Sequence, residues 1–218
     1  MKENLTEIIF ILDRSGSMAS LVDDTIGGYN TYITSQQKEP GEAYLTTVLF
    51  DDKYALLHDH VNIQEVKPLT NKEYFPAGCT ALMDAIGRTI NSVGERLSNT
   101  PEEERPAHVI FVITTDGYEN SSHEFTKEQV KQMIRHQEEK YSWQFIFIGA
   151  GIDAYAEAES IGLGGCHAMS VSKSSFGAQS MYNSVTVASS AIRSTTAATL
   201  DSLGDSWKTG DLGRGGNN

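Results

Sequence analysis

Apolar and polar residues alternate along this chain in blocks. Five consecutive apolar residues, Ile8-Ile9-Phe10-Ile11-Leu12, run directly into Asp13. An unbroken run of that length predicts a strand buried on both faces. Val109 to Ile113 and Trp143 to Ile148 repeat the pattern. Between these runs the apolar spacing turns helical: Met18, Leu21, Val22, Ile26, Tyr29 and Ile33, then Leu82, Ile86, Ile90, Val93 and Leu97. Gly27 and Gly28 fall inside the first helix, where they either weaken it or admit a close neighbour. Ala43 to Phe50 and Lys53 to His60 are extended runs about Asp51-Asp52, the pattern of an antiparallel hairpin at a sheet edge. Residues 61–79 read as irregular, and Pro101 and Pro106 bracket an acidic loop. Thr126 and Gln129 form a capping-box pattern ahead of Val130, Met133 and Ile134. Ala154 to Ile161 predicts a short helix, Cys166 to Val171 a last strand, and about 175–192 a final helix.

Strands alternating with helices predict an α/β fold. It has three layers and is doubly wound, with a mostly parallel central sheet, one antiparallel edge strand and helices on both faces. The 218 residues suffice for one good-sized core, placed at residues 1–192. Beyond Ile192 the pattern stops. Residues 193–218 are rich in Gly, Ser, Thr and Asp, and their few apolar groups do not offset the entropy of ordering. A flexible tail is expected there.

Charge narrows the partners. Seventeen Lys and Arg against 29 Asp and Glu give a net charge of −12. Such a chain is repelled by nucleic acid and by anionic membranes. Two cysteines, Cys79 and Cys166, form neither a disulfide framework nor a zinc pattern. The first apolar run is too short for a signal peptide or a membrane span, so a cytoplasmic location is expected.

The chemistry gathers at strand ends, where open α/β sheets bind their ligands. Asp13-Arg14-Ser15-Gly16-Ser17 places one carboxylate and two hydroxyls at alternate positions after the first strand. Small oxygen ligands on a tight loop suit a hard divalent cation. Asp116 ends the Val109 strand, and Gly78-Cys79-Thr80-Ala81-Leu82 delivers a hydroxyl just before a helix. If the three loops meet, Asp13, Ser15, Ser17, Thr80 and Asp116 surround one point.

In that order and setting, Asp-x-Ser-x-Ser, Thr80 in Gly-x-Thr-x-Leu and Asp116 in Thr-Asp-Gly resemble the von Willebrand factor A domain, in its intracellular bacterial type. The resemblance covers roughly residues 5–192. It implies that these five positions form a metal-ion-dependent adhesion site. Ser15, Ser17 and often Thr80 would bind the ion directly, and Asp13 and Asp116 mostly through water. The ion would be Mg2+, with Mn2+ or Ca2+ as alternatives. Neutral hydroxyls leave it under-neutralised, so one position stays open for a partner's Asp or Glu. The expected function is a non-catalytic, metal-dependent protein-binding module, an adaptor in an assembly or stress system. The alternative is a metal-assisted hydrolase or phosphatase using the same acidic site. Asp84 and Asn120 either support the site from behind or cap the surface. Cys79 reads as a buried small residue or as a thiol near the site. Arg14 has no role at this level.

Other patterns lose to simpler readings. Gly149-Ala150-Gly151-Ile152-Asp153-Ala154 fits G-x-G-x-x-A, but the following strand offers no acid for a ribose, so a tight strand-to-helix turn is expected. No G-x-S-x-G elbow surrounds Ser15 or Ser17. His58 and His60 alternate with Asp59, which places both on one face of an edge strand as solvated residues.

Overall fold

A computed structural model describes residues 1–163, 168–171 and 175–195, with backbone alone for 169–171 and 175–181. Strands β1 (Lys2–Asp13), β2 (Glu42–Phe50), β3 (Tyr54–Asn62), β4 (Pro106–Thr115), β5 (Gln144–Ala150) and β6 (Ala168–Val171) alternate with helices α1 (Val22–Gln36), α2 (Leu82–Asn99), α3 (Lys127–Tyr141), α4 (Ala154–Ser160) and α5 (Ser175–Ser194). The sheet order is β3-β2-β1-β4-β5-β6. Every pairing is parallel except β2 with β3. This is the expected doubly wound arrangement. The order reverses between β1 and β4, which places a binding crevice at their carboxyl ends.

The continuous apolar runs are explained by two cores, one on each face. Ile8, Phe10 and Leu12 point to one side, among Tyr29, Tyr32, Ile33, Tyr182 and Val185 of α1 and α5. Ile9 and Ile11 point to the other, among Ile86, Ile90, Val130 and Ile134 of α2 and α3. Removing such a side chain from water contributes roughly 1.5–3 kcal/mol, and β1 makes that gain on both faces.

Helix α1 runs unbroken through Gly27 and Gly28, and only one of the two glycines is needed for space. A Cβ at Gly28 would lie 1.9 Å from Tyr182 Cδ2, whereas one at Gly27 would meet nothing within 4 Å. Gly28 is where α5 rests its tyrosine on α1. The turn before α1, Gly16–Leu21, is a 3-10 turn rather than the start of the α-helix. The capping box is present: Thr126 accepts from Gln129 N, and the Gln129 side chain accepts from Thr126 N.

Strand β3 departs from simple alternation. Its register against β2 shifts between Leu45 and Thr47 and again between Thr47 and Val48. His60 has a left-handed backbone, with φ of 50°. The bulge turns the two histidines to opposite faces, which corrects the expectation of a shared one. His58 faces Tyr29 of α1, with Nδ1 3.5 Å from the phenol oxygen. His60 Nδ1 reaches Glu7 Oε2 at 2.8 Å on the α2 side. Glu7 is buried in β1, and Arg96 of α2 binds its other oxygen at 2.7 Å.

The final helix passes Ile192 by two residues, to Ser194. The remainder of the expected tail, 196–218, lies outside the described residues, as does Cys166. Among the described residues, no helix is long and apolar enough to cross a membrane.

Candidate metal centre

Asp13 is the last residue of β1 and is fully buried. Its Oδ1 accepts the Ser15 amide at 2.7 Å, and its Oδ2 accepts the Thr115 hydroxyl at 2.7 Å. Tyr74 donates its hydroxyl to the Asp13 carbonyl at 2.6 Å. The carboxylate therefore closes the turn after β1 and ties it to the end of β4. Burial pushes its pKa up from 3.8 to about 6. The Thr115 and Ser15 hydrogen bonds pull the other way, and the neighbouring Asp116 charge adds to the rise.

The serines do not spend their hydroxyls on helix capping: Ser15, at the start of the 3-10 turn, makes no side-chain cap bond. Instead Ser15 Oγ and Ser17 Oγ lie 3.0 Å apart, and Ser17 donates to Asp116 Oδ1 at 2.5 Å. Ser15 and Asp116 are buried while Ser17 is exposed, so the cluster opens to solvent at Ser17.

The second loop is sewn to the first by backbone. Gly16 N donates to Gly78 O at 3.1 Å and Ala77 N to Arg14 O at 2.8 Å. Gly78 has φ of +67°, and a Cβ there would lie 2.1 Å from Asp52 Oδ1, so a side chain is excluded twice over. Thr80 is held reciprocally by Asn120. The Thr80 amide donates to Asn120 Oδ1 at 2.9 Å, and Asn120 N donates to Thr80 O at 3.1 Å. Gly117 completes the convergence: a Cβ on it would sit 3.2 Å from Thr80 Oγ1 and 3.4 Å from Ser17 Oγ. All five residues read from the sequence thus meet on three loops at the β1/β4 reversal.

Asn120 supports Thr80 from behind. Asp84 works elsewhere: its Oδ1 accepts the amides of Glu124 and Phe125, and its Oδ2 that of His123. Burial raises its pKa, but the three amides outweigh this and hold the carboxyl below its usual range. Glu119 fastens the same segment, accepting from Met83, Ser121 and Ser122 amides at 2.7–2.9 Å. Cys79 is an exposed free cysteine, not a core residue. Asp153 caps α4 through Ala156 N, as a plain strand-to-helix turn requires.

Arg14 has a role that the sequence did not disclose. Its Nε lies 3.0 Å from Asp51 Oδ2, and its guanidinium sits 5.3 Å from the centroid of the Phe75 ring. Tyr74 and Thr115 were missed as well. Thr115 stood visibly before Asp116, but nothing local separates it from Thr114.

The donor set fits a small hard cation. Six oxygens at about 2.1 Å from an ion place neighbouring oxygens about 3.0 Å apart, and the Ser15–Ser17 hydroxyl spacing is 3.0 Å. All donors are oxygen, two of them carboxylates. Among the described residues, no group of three or more His, Cys, Asp or Glu could hold a metal. The site is thus hydroxyl-rich and unlike a site built from nitrogen and sulfur ligands.

Sheet order and connections are those of the von Willebrand factor A fold. The chain is similar in structure to the von Willebrand factor type A protein of Catenulispora acidiphila, with a TM-score of 0.59 and 15% identity over 85% of this chain and 42% of that one. It is similar to proximal thread matrix protein 1 of the mussel byssus with a zinc-occupied MIDAS motif, with a TM-score of 0.53 and 19% identity over 83% of this chain and 44% of that one. It is also similar to manganese-loaded TRAP protein of Plasmodium vivax, with a TM-score of 0.54 and 14% identity over 78% of this chain and 70% of that one. The chain spans less than half the length of the first two. No protein-family model and no curated protein sequence matches it.

Proposed function

We propose that this protein is a divalent-cation-dependent protein-binding module without catalysis of its own. Asp13, Ser15, Ser17, Thr80 and Asp116 hold the ion, and an Asp or Glu of the partner completes its coordination. What carries this reading is the meeting of three hydroxyls and the Asp116 carboxylate on three loops, with the solvent side at Ser17. Two structural relatives, the byssus protein and TRAP, hold zinc and manganese respectively. An all-oxygen set with only two carboxylates favours Mg2+ or Mn2+ here. Such a set under-neutralises the ion and leaves it attractive to a partner carboxylate. Ser17 donates its hydrogen bond to Asp116, which leaves an oxygen lone pair of the hydroxyl available to an ion.

The test is thermal unfolding with Mg2+, with Mn2+ and after chelation. Free cation at about a hundredfold its Kd adds about 2.7 kcal/mol, a rise of roughly 5–10 °C in a domain of this size. Ser17→Ala and Thr80→Ala together abolish the rise. No cation-dependent rise in wild type, or an equal rise in the double variant, overturns the proposal.

A further inference from the structure

Two of the three site loops carry an aromatic ring out into solvent. Phe75 is 54% exposed and Tyr118 is 56% exposed. Phe75 lies on the loop that delivers Thr80, and Tyr118 follows Asp116-Gly117. Single exposed aromatics are ordinary, but the Phe75 ring is held and so is the backbone on either side of Tyr118. The Phe75 ring rests on the Arg14 guanidinium, which is itself buried and paired with Asp51. Two residues on, Ala77 is bonded to the Arg14 carbonyl. Tyr118 stands between Gly117, bonded to Thr115, and Glu119, whose carboxylate takes three backbone amides. An aromatic side chain has only two rotatable bonds to lose when covered, and fewer still where its ring or backbone is already held, which makes it an effective anchor.

Charge argues the same way. Within the three loops, residues 13–17, 74–81 and 116–121, Arg14 is the one Lys or Arg, and it is engaged with Asp51. The whole chain carries −12. An acidic partner thus finds no unengaged Lys or Arg on those three loops, and the net charge of the chain disfavours further acids around its carboxylate. That leaves apolar contact as a source of affinity that the two exposed rings supply.

We propose that the partner presents its carboxylate next to an aromatic or long aliphatic side chain, which packs on Phe75 and Tyr118, and that Arg14 positions the Phe75 ring for it. This rests on the metal-and-carboxylate reading given above and names the chemistry of the partner's flanking residue.

A phage-displayed random heptapeptide library, bound to the full chain in Mg2+ and eluted with EDTA, tests it. Wild type is expected to enrich Asp or Glu with Phe, Tyr, Trp, Leu, Ile or Met within two positions, roughly tenfold over the input library. Phe75→Ser with Tyr118→Ser keeps Mn2+ binding by calorimetry and keeps the acid requirement, but loses the apolar neighbour. Acids without an apolar neighbour in the wild-type pool overturn the proposal, as does an unchanged neighbour preference in the double variant. A wild-type pool with no EDTA-released acidic peptides overturns the metal-and-carboxylate reading itself, and this proposal with it.

Discussion

Asp13 bears the largest conflict of any single residue in the site. Its carboxyl titrates at about 6 when folded, against 3.8 ordinarily, because burial disfavours its charge. A raised carboxyl pKa means that the folded state binds the extra proton. Stability therefore falls as pH rises from about 4 to 6, and above that the full cost is carried, about 3 kcal/mol for two pH units. Asp13→Asn does not carry the cost. Its amide can still accept from Ser15 N and donate to Thr115, whose hydroxyl has Gly117 O at 3.0 Å as another acceptor. In EDTA, urea unfolding should show the wild type losing about 2.4 kcal/mol relative to this variant between pH 4 and pH 7. The histidines lowered by burial, His58 and His108, act alike in both proteins and cancel. Parallel pH profiles would show that burial does not strain the carboxylate. The meeting of the five residues was legible because each stands at a strand end or just before a helix, in the order and setting that the resemblance supplied. Their supports were not. Thr115 is 102 positions from Asp13, and Tyr74 is 61 positions from the carbonyl it holds, and no local spacing encodes such pairs.

Among the elements, the long apolar strands and periodic helices declared themselves, since burial on two faces or on one leaves opposite patterns. The segment from Gly117 to Phe125 did not, because its order comes from side chains rather than from repeated backbone bonds. Asp84, on the first turn of α2, takes three of its amides at once. Asp84→Ala leaves them without that acceptor, at a cost of about 2–3 kcal/mol. It should also weaken Mn2+ binding measured by calorimetry, because the loosened segment begins beside Asp116 and includes Asn120. Stability lost with cation affinity intact would show that Asp84 only caps the surface. Strand β3 was legible as a strand and as an edge, but its bulge was not. Alternation puts residues two apart on one face, but between the Leu45–Val61 and Thr47–His58 pairings β3 carries one residue more than β2, and that extra residue breaks the rule.

At the scale of the whole molecule, α1 and α5 close one face of the sheet through a tyrosine lying where a side chain would otherwise be. The adjacent glycines make this testable by sign. Gly27→Ala meets open space, so helix propensity alone acts and stability rises by up to about 1 kcal/mol. Gly28→Ala gains the same propensity but overlaps the Tyr182 ring, where overpacking costs about 1–3 kcal/mol, and the net change should be destabilising. Chemical denaturation of the two variants decides it; two stabilised proteins would mean that α5 gives way without cost. The kinked β3 has a further consequence. A sheet exposes unpaired amides and carbonyls along its outermost strands, an invitation to fibrillar growth. Here one border is bent by two irregularities and a left-handed His60, and β6 at the other spans four residues among those described. The β3 border thus offers no straight template, which hinders copies of the chain from adding to it strand by strand.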